Sequence, residues 1–227
     1  MPIEKTWVLK QQGDSGMVAE LADSLGIAPV LANLLVQRGI RTEQEAQKFF
    51  NPQLADLHDP FLMKDMDKAI KRISSAVRAG EPIMVYGDYD VDGTTAVALV
   101  YIFLRKLGHT NLMFYIPDRY TEGYGVSYRG IDYAERKGVK LVITLDCGIK
   151  AVDKVAYAKQ KGIDFIICDH HLPGDEIPEA VAVLDSKQSD CNYPFKELSG
   201  CGVGFKLVQA YCMRHDMPFS TIEGLLD

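Results

Sequence analysis

The stretch "EPIMVYGDYDVDGTT", Glu81 to Thr95, runs from a short apolar segment straight into aspartates at 88, 90 and 92, closed by Gly93. Four of the five residues after Pro82 are apolar or aromatic, which reads as a short buried strand over Ile83–Gly87. Carboxylates this close repel one another, so their crowding needs a reason. A calcium loop of the EF-hand type fits the opening but requires a bidentate Glu six residues past the glycine, where Leu99 stands. It also requires flanking helices, and a strand leads in here. An ordinary Asp-Gly turn with solvated carboxylates explains most such pairs, so the decision rests on matching groups elsewhere.

Working outward, the chain changes character near Gly80. Ahead of it four segments carry apolar residues at helical spacing: "MVAELADSLG", "PVLANLLVQRG", "TEQEAQKFFN" and "DMDKAIKRISSAVRAG". Past it, strand patterns at Ile83–Gly87, Leu112–Pro117, Lys140–Asp146, Asp164–Asp169 and Val181–Asp185 alternate with helical ones. The latter cover Thr94–Gly108, Ser127–Gly138 and Ile149–Gly162, each ended by glycine. That alternation predicts an α/β fold: a mainly parallel sheet of about five strands, helices on both faces and right-handed connections. The expected division is a helical segment over 1–64 and an α/β domain over 65–227.

In a parallel sheet, ligands bind outside the carboxyl ends of the strands. Asp88 and Asp90 follow the first strand, Asp146 ends "LVITLDCG", Asp169-His170-His171 end "DFIICDHH", and Asp185 ends "AVAVLD". Any one of these has a plain structural reading, since a strand-end Asp caps turns and a His pair is often solvated. Four strands delivering acids or histidines to one rim point instead to divalent cations. Carboxylates mixed with imidazole suit Mn²⁺, or Mg²⁺ with less preference for nitrogen, and a pair of ions about 3.5–4 Å apart is the usual clamp for phosphoester hydrolysis. Asp92 reads as structural, closing the turn with Gly93.

A second group of residues suits phosphate. "YIPDRYTEGYGVS" sets Arg119 in a loop that ends on Ser127, and a guanidinium there can hold a phosphate bidentately. Ser127 can also cap the helix that follows. "LSGCGVGFKL" brings Gly200, Gly202 and Gly204 into a helix start, where backbone amides can approach an anion.

Composition narrows the class. The 227 residues are 47% hydrophobic, ample for a core, with net charge −6, which argues against a protein that coats nucleic acid through a basic surface. Five cysteines lack CxxC spacing, and Cys147, Cys168 and Cys201 sit in or beside apolar runs. Buried thiols of a cytoplasmic protein fit this better than zinc ligands. No apolar stretch of membrane-spanning length or signal-peptide core is seen.

Together these segments resemble the DHH phosphoesterase superfamily, whose Asp-His-His stands here as Asp169-His170-His171. Within it they are similar to the RecJ family of single-stranded-DNA-specific 5′→3′ exonucleases, through "GDYDVDG", "PDRYTEGYG", "TLDCG", "CDHH" and "GCGVGFKL" over about Gly80–Tyr211. The resemblance implies two Mn²⁺ or Mg²⁺ ions. Asp90, Asp146 and His170 would hold one, with Asp146 bridging to a second that Asp88 also binds. His171 would donate to charge developing on the scissile phosphate, and Arg119 would recognise the 5′-terminal phosphate. Ser127, Gly202 and Gly204 are further phosphate contacts, and Asp92, Gly93 and Asp169 support the site. The implied substrate is single-stranded DNA with a 5′ end, met in repair and recombination, with single-strand-binding protein and a helicase as candidate partners.

Two departures stand out. Several relatives carry a ligating His where Met84 is, and the chain stops at "TIEGLLD", inside a helical pattern, ahead of a further metal-binding Asp and a DHHA1-type domain. It therefore reads as the N-terminal fragment of a longer enzyme, with weak metal binding and little activity of its own. A small-substrate phosphodiesterase or pyrophosphatase, and a non-catalytic replication module, are the alternatives.

Overall fold

The computed structural model describes residues 6–226, which fall into two compact units, Met1–Leu57 and His58–Asp227. The smaller unit holds α1 (Ser15–Leu25), α2 (Pro29–Val36) and α3 (Glu43–Phe50), followed by a 3-10 turn at Leu54–Asp56. Its helix starts follow from sequence. Asp14 accepts the Met17 amide, Pro29 opens α2, and Thr42 with Glu45 forms a capping box. Leu21, Ala22, Ala32, Leu35 and Ala46 make its small core. The division falls ahead of the 64/65 boundary expected from sequence, because Pro60, Met63 and Met66 are buried in the larger unit. No single helix among the described residues is long and apolar enough to cross a membrane.

The larger unit begins with a 3-10 turn at Pro60–Leu62 and α4 (Met66–Ala79). There follow β1 (Ile83–Gly87), α5 (Val91–Lys106), β2 (Leu112–Tyr115), α6 (Tyr128–Arg136), β3 (Leu141–Leu145), α7 (Val152–Gln160), β4 (Asp164–Cys168) and β5 (Ala182–Leu184). Then come α8 (Gly200–Arg214) and a single turn, α9 (Ser220–Glu223). The helical pattern at the C-terminus thus ends at Gly224. All strand pairs are parallel, in the order β2-β1-β3-β4-β5, the expected fold class.

Alternation along the strands divides the core. Val85, Leu141, Ile143, Leu145, Ile166, Cys168 and Leu184 pack under α4, α5 and α8, while Met84, Tyr86, Val142, Phe165, Ile167 and Val183 pack under α6 and α7. With both faces covered, β1 and β3 are buried throughout. Met84 is fully buried, packed in the α6–α7 half of the core. Because the order runs 2-1-3-4-5, the winding reverses between β1 and β3, where such sheets open a crevice at the strands' carboxyl ends.

Candidate metal centre

Register builds the site. Gly87 pairs with Leu145, Leu145 with Cys168, and Cys168 with Leu184. The next residue on each strand is an aspartate, so Asp88, Asp146, Asp169 and Asp185 stand in one row across β1, β3, β4 and β5. The Asp146 and Asp169 amides continue the ladder, donating to Cys168 O and Leu184 O. All four residues are buried, none more than 2% exposed. Neighbouring strands are about 4.8 Å apart, so the row concentrates negative charge where water cannot disperse it.

That cost is visible in the unspent oxygens. Asp88 Oδ1, Asp146 Oδ1 and Asp185 Oδ2 are buried without a hydrogen-bond partner. His170 Nε2 lies 3.0 Å from Asp146 Oδ1, an ion-pair contact when the imidazole is protonated. Burial, with the Asp92 and Asp90 charges adding, pushes Asp146 up to about 7. Burial also raises Asp185 to about 6 and shifts Asp88 upward. Asp146 moreover sits at φ 61°, the left-handed region a side chain adopts at a cost. Strain, repulsion and orphaned acceptors at one point are what a bound cation would relieve.

Two sets of ligand atoms each lie within 4.8 Å of one another: Asp88, Asp90 and Asp146, and Asp146, His170 and His171. Asp146 belongs to both. Among these sets Asp90 stands with Asp88, whereas the expectation from sequence groups Asp90 with His170. Oxygen-rich donors with imidazole fit Mn²⁺ or Mg²⁺, and the five cysteines are unpaired, with Cys147 and Cys168 buried.

Asp169 is spent on orientation. Its Oδ2 accepts the Ile149 amide, and its Oδ1 accepts the His170 and His171 amides and lies 2.7 Å from His171 Nδ1. A carboxylate there holds the proton on Nδ1 and leaves Nε2 as the working nitrogen.

Asp92 and Gly93 form no separate turn. Asp90 caps α5 by accepting the Gly93 amide, so the helix starts three residues earlier than the Thr94 expected, and both residues lie in its first turn. Asp92 reaches the start of α8 instead, accepting the Gly200 and Cys201 amides at 2.7 Å each. The Gly202 amide donates to Ser199 Oγ. These amides are therefore occupied, which corrects the expectation that Gly202 binds phosphate. Gly204 serves packing: a Cβ there would stand 3.1 Å from Leu145 Cδ2. Ser127 caps α6 and donates to Glu122, so its hydroxyl too is committed within the protein.

The loop between β2 and α6 is tied down by Glu122, which accepts from Tyr115 Oη, the Asp118 amide and Ser127 Oγ. It presents Arg119, exposed, with Cζ 4.4 Å from the Tyr89 ring centroid, between Asp88 and Asp90 in sequence. Tyr124 was not singled out by sequence reasoning, although it lies within the quoted "EGYG". Its hydroxyl donates to Asp146 O and lies 3.2 Å from His171 Nδ1. Gly200 was likewise undervalued: a Cβ there would stand 2.5 Å from Asp146 Cβ.

A row of buried strand-end acids, an oriented His pair and a doubly wound sheet define a family. Residues 82–226 match the DHH family, N-terminal domain, and the chain belongs to it. It is similar to the single-stranded-DNA-specific exonuclease RecJ of Bacillus subtilis, 46% identical over 88% of this chain and 25% of that protein. Among solved structures it resembles RecJ in complex with Mn²⁺ from Thermus thermophilus, with 27% identity and a TM-score of 0.70 over 89% of this chain and 28% of that one. An exonuclease RecJ bound to manganese matches at 32% identity and a TM-score of 0.62, over 69% of this chain and 39% of that one. The chain thus spans about a quarter of the length of its Bacillus relative.

Proposed function

We propose that this chain carries the metal centre of a 5′→3′ exonuclease acting on single-stranded DNA. The observation that supports it most is the in-register row of buried aspartates with unpaired oxygens at the β1/β3 switch point. Asp88 and Asp90 would hold one cation with Asp146, and His170 a second with Asp146 as the shared ligand. Divalent ions bound there would supply an activated water and neutralise charge on the phosphorus oxygens. Asp169 orients His171, which would donate to a phosphoryl oxygen. Tyr124 holds the Asp146 backbone through its hydroxyl. Arg119, fixed by the Glu122 loop and stacked on Tyr89, would take the 5′-terminal phosphate. The reading also implies a cytoplasmic place in repair and recombination, beside a helicase and single-strand-binding protein, since a nuclease confined to single strands needs the duplex opened.

The direct test is 5′-labelled single-stranded DNA with Mn²⁺, compared with duplex DNA, cyclic dinucleotides and pyrophosphate. The expected product is 5′-mononucleotide released from the 5′ end. Equal or faster cleavage of pyrophosphate or cyclic dinucleotides would replace this reading with the small-substrate one.

Arg119→Ala sharpens it. A charge-assisted bidentate contact is worth about 1.5–3 kcal/mol, so the variant should lose roughly 10- to 100-fold of any preference for 5′-phosphate over 5′-hydroxyl strands while still cutting. An unchanged preference returns Arg119 to an ordinary surface role.

A further inference from the structure

Beside His171 lies a pocket of about 230 Å³ that the proposed mechanism leaves unused. It is walled by the loops after β2, β3 and β4, through Tyr124, Gly148, Asp169 and His171, and by Lys150 and Lys154. Neither lysine takes part in an ion pair among the described residues. Lys154 Nζ lies 5.8 Å from the ring of the half-exposed Tyr128. The two lysines thus line a concave space, with Tyr124 as its aromatic wall, next to a centre otherwise rich in carboxylates. The space is below the about 300 Å³ at which whole-ligand pockets start, and suits a phosphate with its sugar.

Strand order fixes where this pocket falls along a bound strand. Arg119, over Tyr89, stands at the end of β1, Asp146 at the end of β3, and the pocket reaches from the loop after β2 across the ends of β3 and β4. A strand with its terminal phosphate at Arg119 and its scissile phosphate at Asp146 runs on toward Lys150 and Lys154. We propose that this pocket is a downstream subsite: it takes the first phosphate on the 3′ side of the scissile linkage, with Lys150 and Lys154 as its cations. The inference rests on reading the centre as a single-strand exonuclease and adds the site that distinguishes a polynucleotide from a dinucleotide.

A 5′-phosphorylated dinucleotide has no phosphate beyond the scissile one, and a trinucleotide has one. Binding of both is measured by calorimetry with Mg²⁺, the linkage nearest the 5′ end being a methylenephosphonate that cannot be cut. The wild type should bind the trinucleotide about tenfold more tightly, the worth of one charge-assisted contact of about 1.4 kcal/mol. Lys150→Gln/Lys154→Gln should bring the trinucleotide down to the dinucleotide's affinity and leave the dinucleotide unchanged. Its salt slope for the trinucleotide should fall by about 0.7. Each single substitution, on the exposed Lys150 or the half-buried Lys154, should give part of the loss with an unaltered circular dichroism spectrum. Equal weakening of both ligands would mean the pocket takes the 5′ nucleotide and would overturn the proposal. So would a length preference that survives the double substitution, or a wild type that shows none. Cleavage of an ordinary trinucleotide by the wild type, run alongside, reports on the exonuclease reading separately.

Discussion

Under the proposed function, Asp146→Asn is expected to abolish phosphodiester hydrolysis while raising the melting temperature of the metal-free protein. The loss should far exceed the roughly 10- to 100-fold typical of a residue that merely supports a ligand, because Asp146 belongs to both candidate ligand sets. The gain in stability has its own cause. The carboxylate is buried, Oδ1 has no hydrogen-bond partner, and the Asp92 and Asp90 charges add to a desolvation penalty that already holds it near 7. An amide removes that charge in the same volume, and Asn tolerates the left-handed backbone at this position.

The pH dependence follows with a definite sign. Between about pH 4 and 7 the unfolded chain has released the Asp146 proton while the folded chain still holds it. Folded protein then binds more protons, so this group's contribution falls as pH rises through that window and stays low above it. Calorimetry in EDTA should show the melting-temperature gap between Asp146→Asn and wild type widening from pH 5 to pH 7.5. At pH 7.5, Mn²⁺ should raise the wild-type melting temperature and leave the variant's nearly unchanged. A variant that melts lower than wild type, or that keeps the Mn²⁺ shift, would refute the account of this residue.

Much of this centre was legible because parallel sheets put strand ends on one rim. Asp88, Asp146, Asp169 and Asp185 each close an apolar run, and apolar runs locate strands without tertiary information. What the runs do not carry is pairing across distance. Asp92 looked like part of a local Asp-Gly turn, yet its partners are amides at Gly200 and Cys201, more than 100 residues away. The glycines of "GCGVG" show the same limit. An anion cradle and a helix laid tightly on a strand both need absent side chains, and only the Asp146 and Leu145 atoms facing Gly200 and Gly204 decide between them. Asp90 joining Asp88 rather than His170 depends on side-chain reach at a helix cap, which no spacing encodes.

Gly93→Ala is expected to lower the melting temperature by about 10 °C. The end of β1 and the start of α5 touch at this residue: a Cβ on Gly93 would stand 2.6 Å from Asp88 O and 2.8 Å from Asp88 C and N. Gly87 makes the reciprocal approach, where a Cβ would meet Val97 Cγ2 at 2.3 Å and Gly93 O at 2.9 Å. Side-chain ends can rotate out of such a contact, but backbone atoms of a buried strand cannot. Alanine's better helix propensity returns about 1 kcal/mol. The overlap forces α5 away from β1, which disturbs the Asp90 cap and pulls Asp92 from the amides of α8. Overpacking costs about 1–3 kcal/mol where side chains can adjust, and here rigid backbone takes the overlap, so a net loss of about 3 kcal/mol follows. Each kcal/mol moves the melting temperature of a chain this size by about 2–4 °C. Gly202→Ala is the matched comparison, since its nearest neighbour is Leu198 Cδ2 at 3.3 Å, the end of a flexible side chain. It should melt within about 2 °C of wild type and keep full activity, its amide being held by Ser199. If Gly93→Ala melts as the wild type does, the strand and helix have room between them, and Asp88 and Asp90 are not held by that contact.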